Sequence, residues 1–197
     1  MLKTKVIKEY HDNGNIKSEC FKLNGKIDHL YKSYYKNGQL EEEINYIDGD
    51  PNIHKIYYED GQLQDETNYI DDKMNSINKI YYKNGKLKEI SHISYDFNKN
   101  GITKLYYEEG QLKEEINYIY DKKNGIHKIY YEDGKLKEEI NYADDKQNGI
   151  HKIYYEDGKL KEEINYADDK QNGIYTSYYT DGRLQEEINY IDNKRIS

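Results

Sequence analysis

A repeat constrains this chain more than any other feature. Residues 125–148 read GIHKIYYEDGKLKEEINYADDKQN, and residues 149–172 repeat them without a change. Eight turn glycines, Gly14, Gly38, Gly61, Gly85, Gly110, Gly134, Gly158 and Gly182, follow one another at spacings of 24, 23, 24, 25, 24, 24 and 24 residues. The chain therefore reads as eight copies of one unit. Identical neighbours point to recent duplication, which stacked units that touch only their neighbours tolerate. The expected organisation is a single repeat domain over 1–197. It has a degenerate N-terminal cap repeat over 1–24, with His11 where later repeats carry Tyr, regular repeats over 25–191 and a short tail over 192–197.

Each unit predicts a β-hairpin. Around Gly158 a run GIHKIYY is followed by EDG and then by KLKEEINY. Asp-Gly or Asn-Gly between two β-prone runs is a strong short-range hairpin signal. KLKEEI consists of good helix formers, but it is too short for a stable helix and Gly recurs on both sides of it. A second turn, DDKQNG, links each hairpin to the next, so all connections are short. The fold expected is all-β: an elongated, twisted, solenoid-like single-layer antiparallel meander of tandem hairpins. Sixteen strands would span roughly 75 Å. Composition agrees. Trp is absent, Val occurs once and Phe twice, against 25 Tyr and 25 Ile. That mixture cannot fill a thick Leu/Val/Phe core, yet it has too many aromatic and β-branched residues for disorder. It suits a thin, tyrosine-rich apolar layer.

The hairpin register decides which residues share a face. A two-residue Asp157-Gly158 turn would pair Tyr155 with Leu160. A three-residue Glu156-Asp157-Gly158 loop with a glycine bulge would pair Tyr154 with Leu160. The second register is favoured, because it places Ile150, Tyr154, Leu160, Ile164 and Tyr166 on one face and sets Lys152 opposite Glu162. Three rows are then candidates for packing and partner contact: Tyr34, Tyr57, Tyr81, Tyr106, Tyr130, Tyr154 and Tyr178; Leu40, Leu63, Leu87, Leu112, Leu136, Leu160 and Leu184; and Tyr46, Tyr69, Tyr118, Tyr142, Tyr166 and Tyr190. Ser33 and Ser177 interrupt the row of Ile153. A one-residue slip would reverse the faces.

The net charge is −8. It disfavours nucleic acid and purely electrostatic docking on anionic lipid, and it admits a basic protein partner. Cys20 is the only cysteine, so no disulfide framework or paired-cysteine metal site is expected. The segment MLKTKVIKEY lacks the roughly 7–15-residue apolar region of a signal peptide, and no transmembrane stretch is seen, which makes the cytoplasm the expected location.

The pattern YYxDGxLKEE…Y…NG, as in YYEDGKLKEEINYADDKQNG and YYKNGQLEEEINYIDG, resembles the bacterial variant of the MORN repeat. KIDHLYKSYYKNG at 26–38 resembles the other half of that repeat, in which a second glycine precedes the tyrosine pair. That glycine is Gly101, Gly125, Gly149 and Gly173, with His29, Asn52 and Ser76 in its place elsewhere. The resemblance covers nearly the whole chain. It implies an elongated single-layer sheet used for protein or lipid contact. Many bacterial members are described as antitoxin components of toxin–antitoxin pairs, and eukaryotic MORN proteins are linked to membranes and phospholipids. No catalytic residue comes with the motif.

The remaining candidates for chemistry are weak. His54, His127 and His151 share one repeat position, but such positions lie about 9–10 Å apart, too far for two ligands on one zinc. In Glu42-Glu43, Glu114-Glu115, Glu138-Glu139, Glu162-Glu163 and Glu186-Glu187, neighbouring side chains point to opposite faces, so no pair forms a carboxylate dyad. Asp144-Asp145 and Asp168-Asp169 read as solvated turns. Ile90–Asn100 and the junction Asp48–Asn52, with Pro51, are irregular and predict a bulge or kink. No catalytic, metal or cofactor site is expected. The function expected is a non-enzymatic interaction scaffold of the antitoxin or immunity type, binding a basic protein, a toxin among the candidates, through its sheet face. The alternatives are a membrane- or phospholipid-associating module, and an adhesion or self-assembly module that forms homo-oligomers through its end strands.

Overall fold

The computed structural model describes residues 4–23, 26–70, 75–94 and 97–196. The inter-hairpin Gly25, the last residue of the tail, and Tyr95 and Asp96 of the irregular segment lie outside the described residues. The chain divides into two compact units, Met1–Phe97 and Asn98–Ser197, and the division falls within the irregular segment.

The described residues form strands and no helix. The first unit holds β1 (Thr4–Tyr10), β2 (Ile16–Leu23), β3 (Lys26–Tyr34), β4 (Leu40–Ile47), β5 (Asp50–Tyr57), β6 (Leu63–Ile70), β7 (Asn75–Tyr81) and β8 (Leu87–Ile93). The second holds β9 (Gly101–Tyr106), β10 (Leu112–Ile119), β11 (Lys122–Tyr130), β12 (Leu136–Ala143), β13 (Lys146–Tyr154), β14 (Leu160–Ala167), β15 (Lys170–Tyr178), β16 (Leu184–Ile191) and β17 (Lys194–Ile196). Within each unit every strand pairs antiparallel with the next, an open meander as the repeat predicts.

The hairpin loop takes the three-residue form. Tyr155 N–H donates to the Lys159 carbonyl at 2.9 Å and Gly158 N–H donates to the Tyr155 carbonyl at 2.8 Å. Gly158 has φ +86°, the left-handed conformation of a glycine bulge. Tyr154 accordingly pairs with Leu160.

Beyond Leu160 the expected faces do not hold. The next pair is Ile153 with Glu162, so Lys161 is an extra, unpaired residue. The same skip recurs at Lys17 and Lys137. One inserted residue transfers everything after it to the other face. Lys152 therefore faces Glu163, not Glu162, at 3.8 Å. Ile164 pairs with His151, and Tyr166 with Gly149, so both lie opposite Tyr154, Leu160 and Ile150. Burial agrees: Ile164 is 7% exposed and Ile150 37%.

The links between hairpins are tighter than the loop expected from DDKQNG. Asp168 and Asp169 have φ +49° and +65°, and Ala167 pairs with Lys170. This is a two-residue type I′ turn, and Asp, like Asn, tolerates left-handed backbone because its short polar side chain can hydrogen-bond locally. Past it, Gly173 lies in a second bulge at φ +116°. A Cβ there would stand 3.1 Å from the Asn165 Cβ, while Asn165 Nδ2 donates to the Ile174 carbonyl at 2.6 Å. Asn165 and Gly173 thus form one lock. At Ser76, which lacks the glycine, β6 and β7 pair without a register shift.

Among the described residues the buried hydrophobic side chains form a single row. Ile116, Ile140, Ile164 and Ile188 are 4–8% exposed. In the first unit the equivalent positions are Cys20, Ile44, Thr67 and Ser91, a more polar row.

Candidate interaction faces

Each meander presents two chemically different faces. The tyrosine–leucine face carries Tyr154, Leu160, Lys152, Glu163 and Ile150, with their equivalents. Across it Glu139 pairs with Lys152 and Lys152 with Glu163, so charges alternate from strand to strand. In the first unit, Lys8–Glu19 at 3.0 Å and Lys32–Glu43 at 3.3 Å continue the pattern. Such half-exposed pairs each stabilise by about 0.2–1 kcal/mol, and together they cancel the charge of this face. Burial pushes the Tyr154 hydroxyl upward, with Glu139 adding to it. Tyr34 is pushed up to about 12 by burial and by donating to Glu19 at 2.7 Å.

The opposite, histidine–isoleucine face carries the first glutamate of each pair. Its rows follow from the cross-strand partners. One row reads Glu114, Ile129, Glu138, Ile153, Glu162, Ser177 and Glu186. The next is the buried isoleucine row with His127, His151 and Tyr175 between its members. The third holds Tyr142, Tyr166 and Tyr190. No lysine stands directly across from these glutamates. Lys113 and Lys161 reach Glu114 and Glu162 from the bulge margin, at 3.7 and 3.4 Å.

The histidines are packing residues that each hold a carboxylate. Nε2 of His54, His127 and His151 stands 2.8, 3.1 and 3.2 Å from Glu42, Glu114 and Glu138. His127 is 5% exposed and packs within the sheet face. Burial, then Lys123, pushes its imidazole below the usual 6.5, while Glu114 and Glu138 oppose the shift. His127 is therefore neutral at pH 7 and does not offset the acidic row. Where Ser replaces Ile in the glutamate row, Tyr replaces His beside it, as in Tyr31 with Ser33 and Tyr175 with Ser177. The larger ring takes up the volume that the smaller serine leaves.

The candidate tyrosines and leucines are thus divided. Tyr34, Tyr57, Tyr81, Tyr106, Tyr130, Tyr154 and Tyr178 pair with Leu40, Leu63, Leu87, Leu112, Leu136, Leu160 and Leu184 on the charge-balanced face. The row that contains Tyr142, Tyr166 and Tyr190 belongs to the acidic face. Sequence reasoning missed the second member of each tyrosine pair. Tyr35, Tyr107, Tyr131 and Tyr155 donate their hydroxyls to the carbonyls of Tyr57, Tyr130, Tyr154 and Tyr178, at 2.7–2.8 Å. These bonds stitch each hairpin to the following one. In the cap repeat His11 Nε2 makes the equivalent contact with the Tyr34 carbonyl at 2.8 Å. Their invariance across repeats was the available signal.

The other edge is stitched as well. Asp145 and Asp169 donate their N–H groups to the carbonyls of Lys123 and Gln147 at 3.0 Å. Their Oδ1 atoms accept the N–H groups of the same two residues at 2.8 Å. The aspartates read as solvated turns are therefore reciprocal clamps between successive turns.

A family model described as "MORN repeat variant" matches residues 3–21, 30–48, 52–71, 75–94, 99–120, 123–144, 147–168 and 171–192. The chain belongs to the MORN repeat variant family. The matched segments coincide with the eight hairpins, so the family unit is one hairpin. MORN-type repeats are modules of protein or membrane-lipid contact, and the bare motif carries no catalytic group. No curated protein matches the chain. Among solved structures, a chain of the Photorhabdus luminescens Tc holotoxin pore carrying the TccC3-D651A mutation aligns at 15% identity and a TM-score of 0.25. The alignment covers 96% of this chain and 12% of that one. No helix among the described residues is long and apolar enough to cross a membrane.

Proposed function

We propose that this MORN-variant protein is a non-enzymatic scaffold that binds a basic protein through its histidine–isoleucine face. One observation carries the reading: the two glutamates of each pair have unlike surroundings. The second is flanked across the strands by lysine, except that Thr176 takes the lysine position beside Glu187. The first is flanked by isoleucine or serine, next to a row of histidine or tyrosine between isoleucines and a row of tyrosines. Carboxylates alternating with apolar side chains complement a partner that presents Lys or Arg among apolar groups, and the net charge of −8 acts in the same sense. An antitoxin or immunity role is the form of this function that the family resemblance favours.

The test is capture from native extract on immobilised protein, eluted with a salt gradient. The reading expects a stoichiometric basic protein leaving at moderate salt, and an association rate that falls as ionic strength rises. A stoichiometric partner that is acidic, or whose binding ignores salt, would overturn it.

A further inference from the structure

The hairpin-loop edge carries a recurring notch. In Asn98–Ser197 two adjacent depressions open there, of about 450 and 710 Å³. A third, of about 510 Å³, occupies the same repeat position in Met1–Phe97. Each is walled by the second tyrosine of a pair, Tyr131 in the first two and Tyr58 in the third, and in each the carboxylates outnumber the lysines. Asp133 is already held by Lys135 at 2.8 Å. Glu132 and Glu156 make no ion pair among the described residues, and both line the notch at Tyr131. The tyrosine rings also accept ammonium groups in this geometry: Lys137 Nζ lies 5.8 Å from the Tyr131 centroid and Lys161 Nζ 6.0 Å from that of Tyr155.

We infer that these notches bind an extended basic peptide in polyproline II conformation, with one Lys or Arg in every third position and one such side chain per notch. The inference rests on the basic-partner reading above and adds the conformation and spacing of what is bound. Successive notches are two strands apart, about 9.6 Å. Polyproline II returns to the same side every three residues, at about 9.3 Å. An α-helix returns at the seventh residue, about 10.5 Å on, and loses register by almost 1 Å per repeat. A β-strand points its third residue to the opposite side. Tyrosine-walled grooves are also the surfaces that dock polyproline II segments elsewhere, because the ligand loses little entropy on binding.

The test uses the full chain and two twelve-residue peptides of equal composition, followed by fluorescence anisotropy at low salt. One peptide is built of Pro-Pro-Lys triplets; the other has all its lysines at one end. The triplet peptide is expected to bind about tenfold more tightly. The double variant Glu132→Lys/Glu156→Lys, whose side chains stand on an exposed loop, is expected to lose that preference and keep its melting temperature. Equal binding of the two peptides would overturn the spacing and leave the acidic-face reading intact. Capture of a basic protein without binding of either peptide would overturn the notch as the site. Failure of every basic ligand would remove both.

Discussion

The second tyrosine of each Tyr-Tyr pair acts between repeats, and it can be isolated by removing one atom. Tyr155→Phe and Tyr131→Phe each delete a hydroxyl that caps a carbonyl of the following hairpin. Each is expected to lower stability in urea unfolding by about 0.5–1.5 kcal/mol, with little change of slope. Histidine 127 gives a pH signature at the same scale. Its folded-state value lies below 6.5, so the unfolded chain takes up the proton first as pH falls. The stability it leaves intact is therefore full above 6.5 and is lost as pH drops through that value toward the folded one. His127→Asn supplies the residue that Asn78 already places at the equivalent position, where its amide donates to Asp65 at 3.0 Å. The variant is expected to show a shallower fall in melting temperature than the parent between about pH 7.5 and 5.5.

At the scale of the hairpin, two glycines with positive φ differ in what they demand. Gly158, at +86°, sits in open loop space, and Asn there should cost less than about 1 kcal/mol. Gly173, at +116°, is pressed against Asn165, and Gly173→Ala should cost on the order of 2 kcal/mol by chemical denaturation. The contrast shows what could be read in the chain. The hairpins, the three-residue loop and the pairing of Tyr154 with Leu160 were legible, because Gly and Tyr recur at fixed offsets. The bulge at Lys161 was not. KLKEE is polar at four of its five positions, so no apolar alternation marks the slip, and the faces beyond it were assigned one residue out of phase. Nor did the sequence distinguish the two glutamates of a pair, since only the bulge decides which of them meets lysine.

At the scale of the whole molecule, burial is uneven along the chain. The core row of the second unit is Ile116, Ile140, Ile164 and Ile188, whereas the first unit places Thr67 and Ser91 there. Amide hydrogen exchange read by mass spectrometry should show slower exchange across residues 98–196 than across 4–94. Repetition also allows subtraction. Deleting residues 149–172 joins Asn148 to Gly173, a junction the chain already contains, and leaves every remaining neighbour with its usual contacts. The shortened chain is expected to fold, with an unchanged circular dichroism spectrum per residue and a smaller denaturant slope. Whether function resides on the face bearing the first glutamate of each pair is decided by comparing two isosteric variants in the salt-gradient capture. Glu138→Gln/Glu162→Gln and Glu139→Gln/Glu163→Gln remove the same charge from the same two strands on opposite faces. The first variant is expected to lose the basic partner, or to release it at much lower salt, while the second retains it. Retention by the first together with loss by the second would place binding on the tyrosine–leucine face instead.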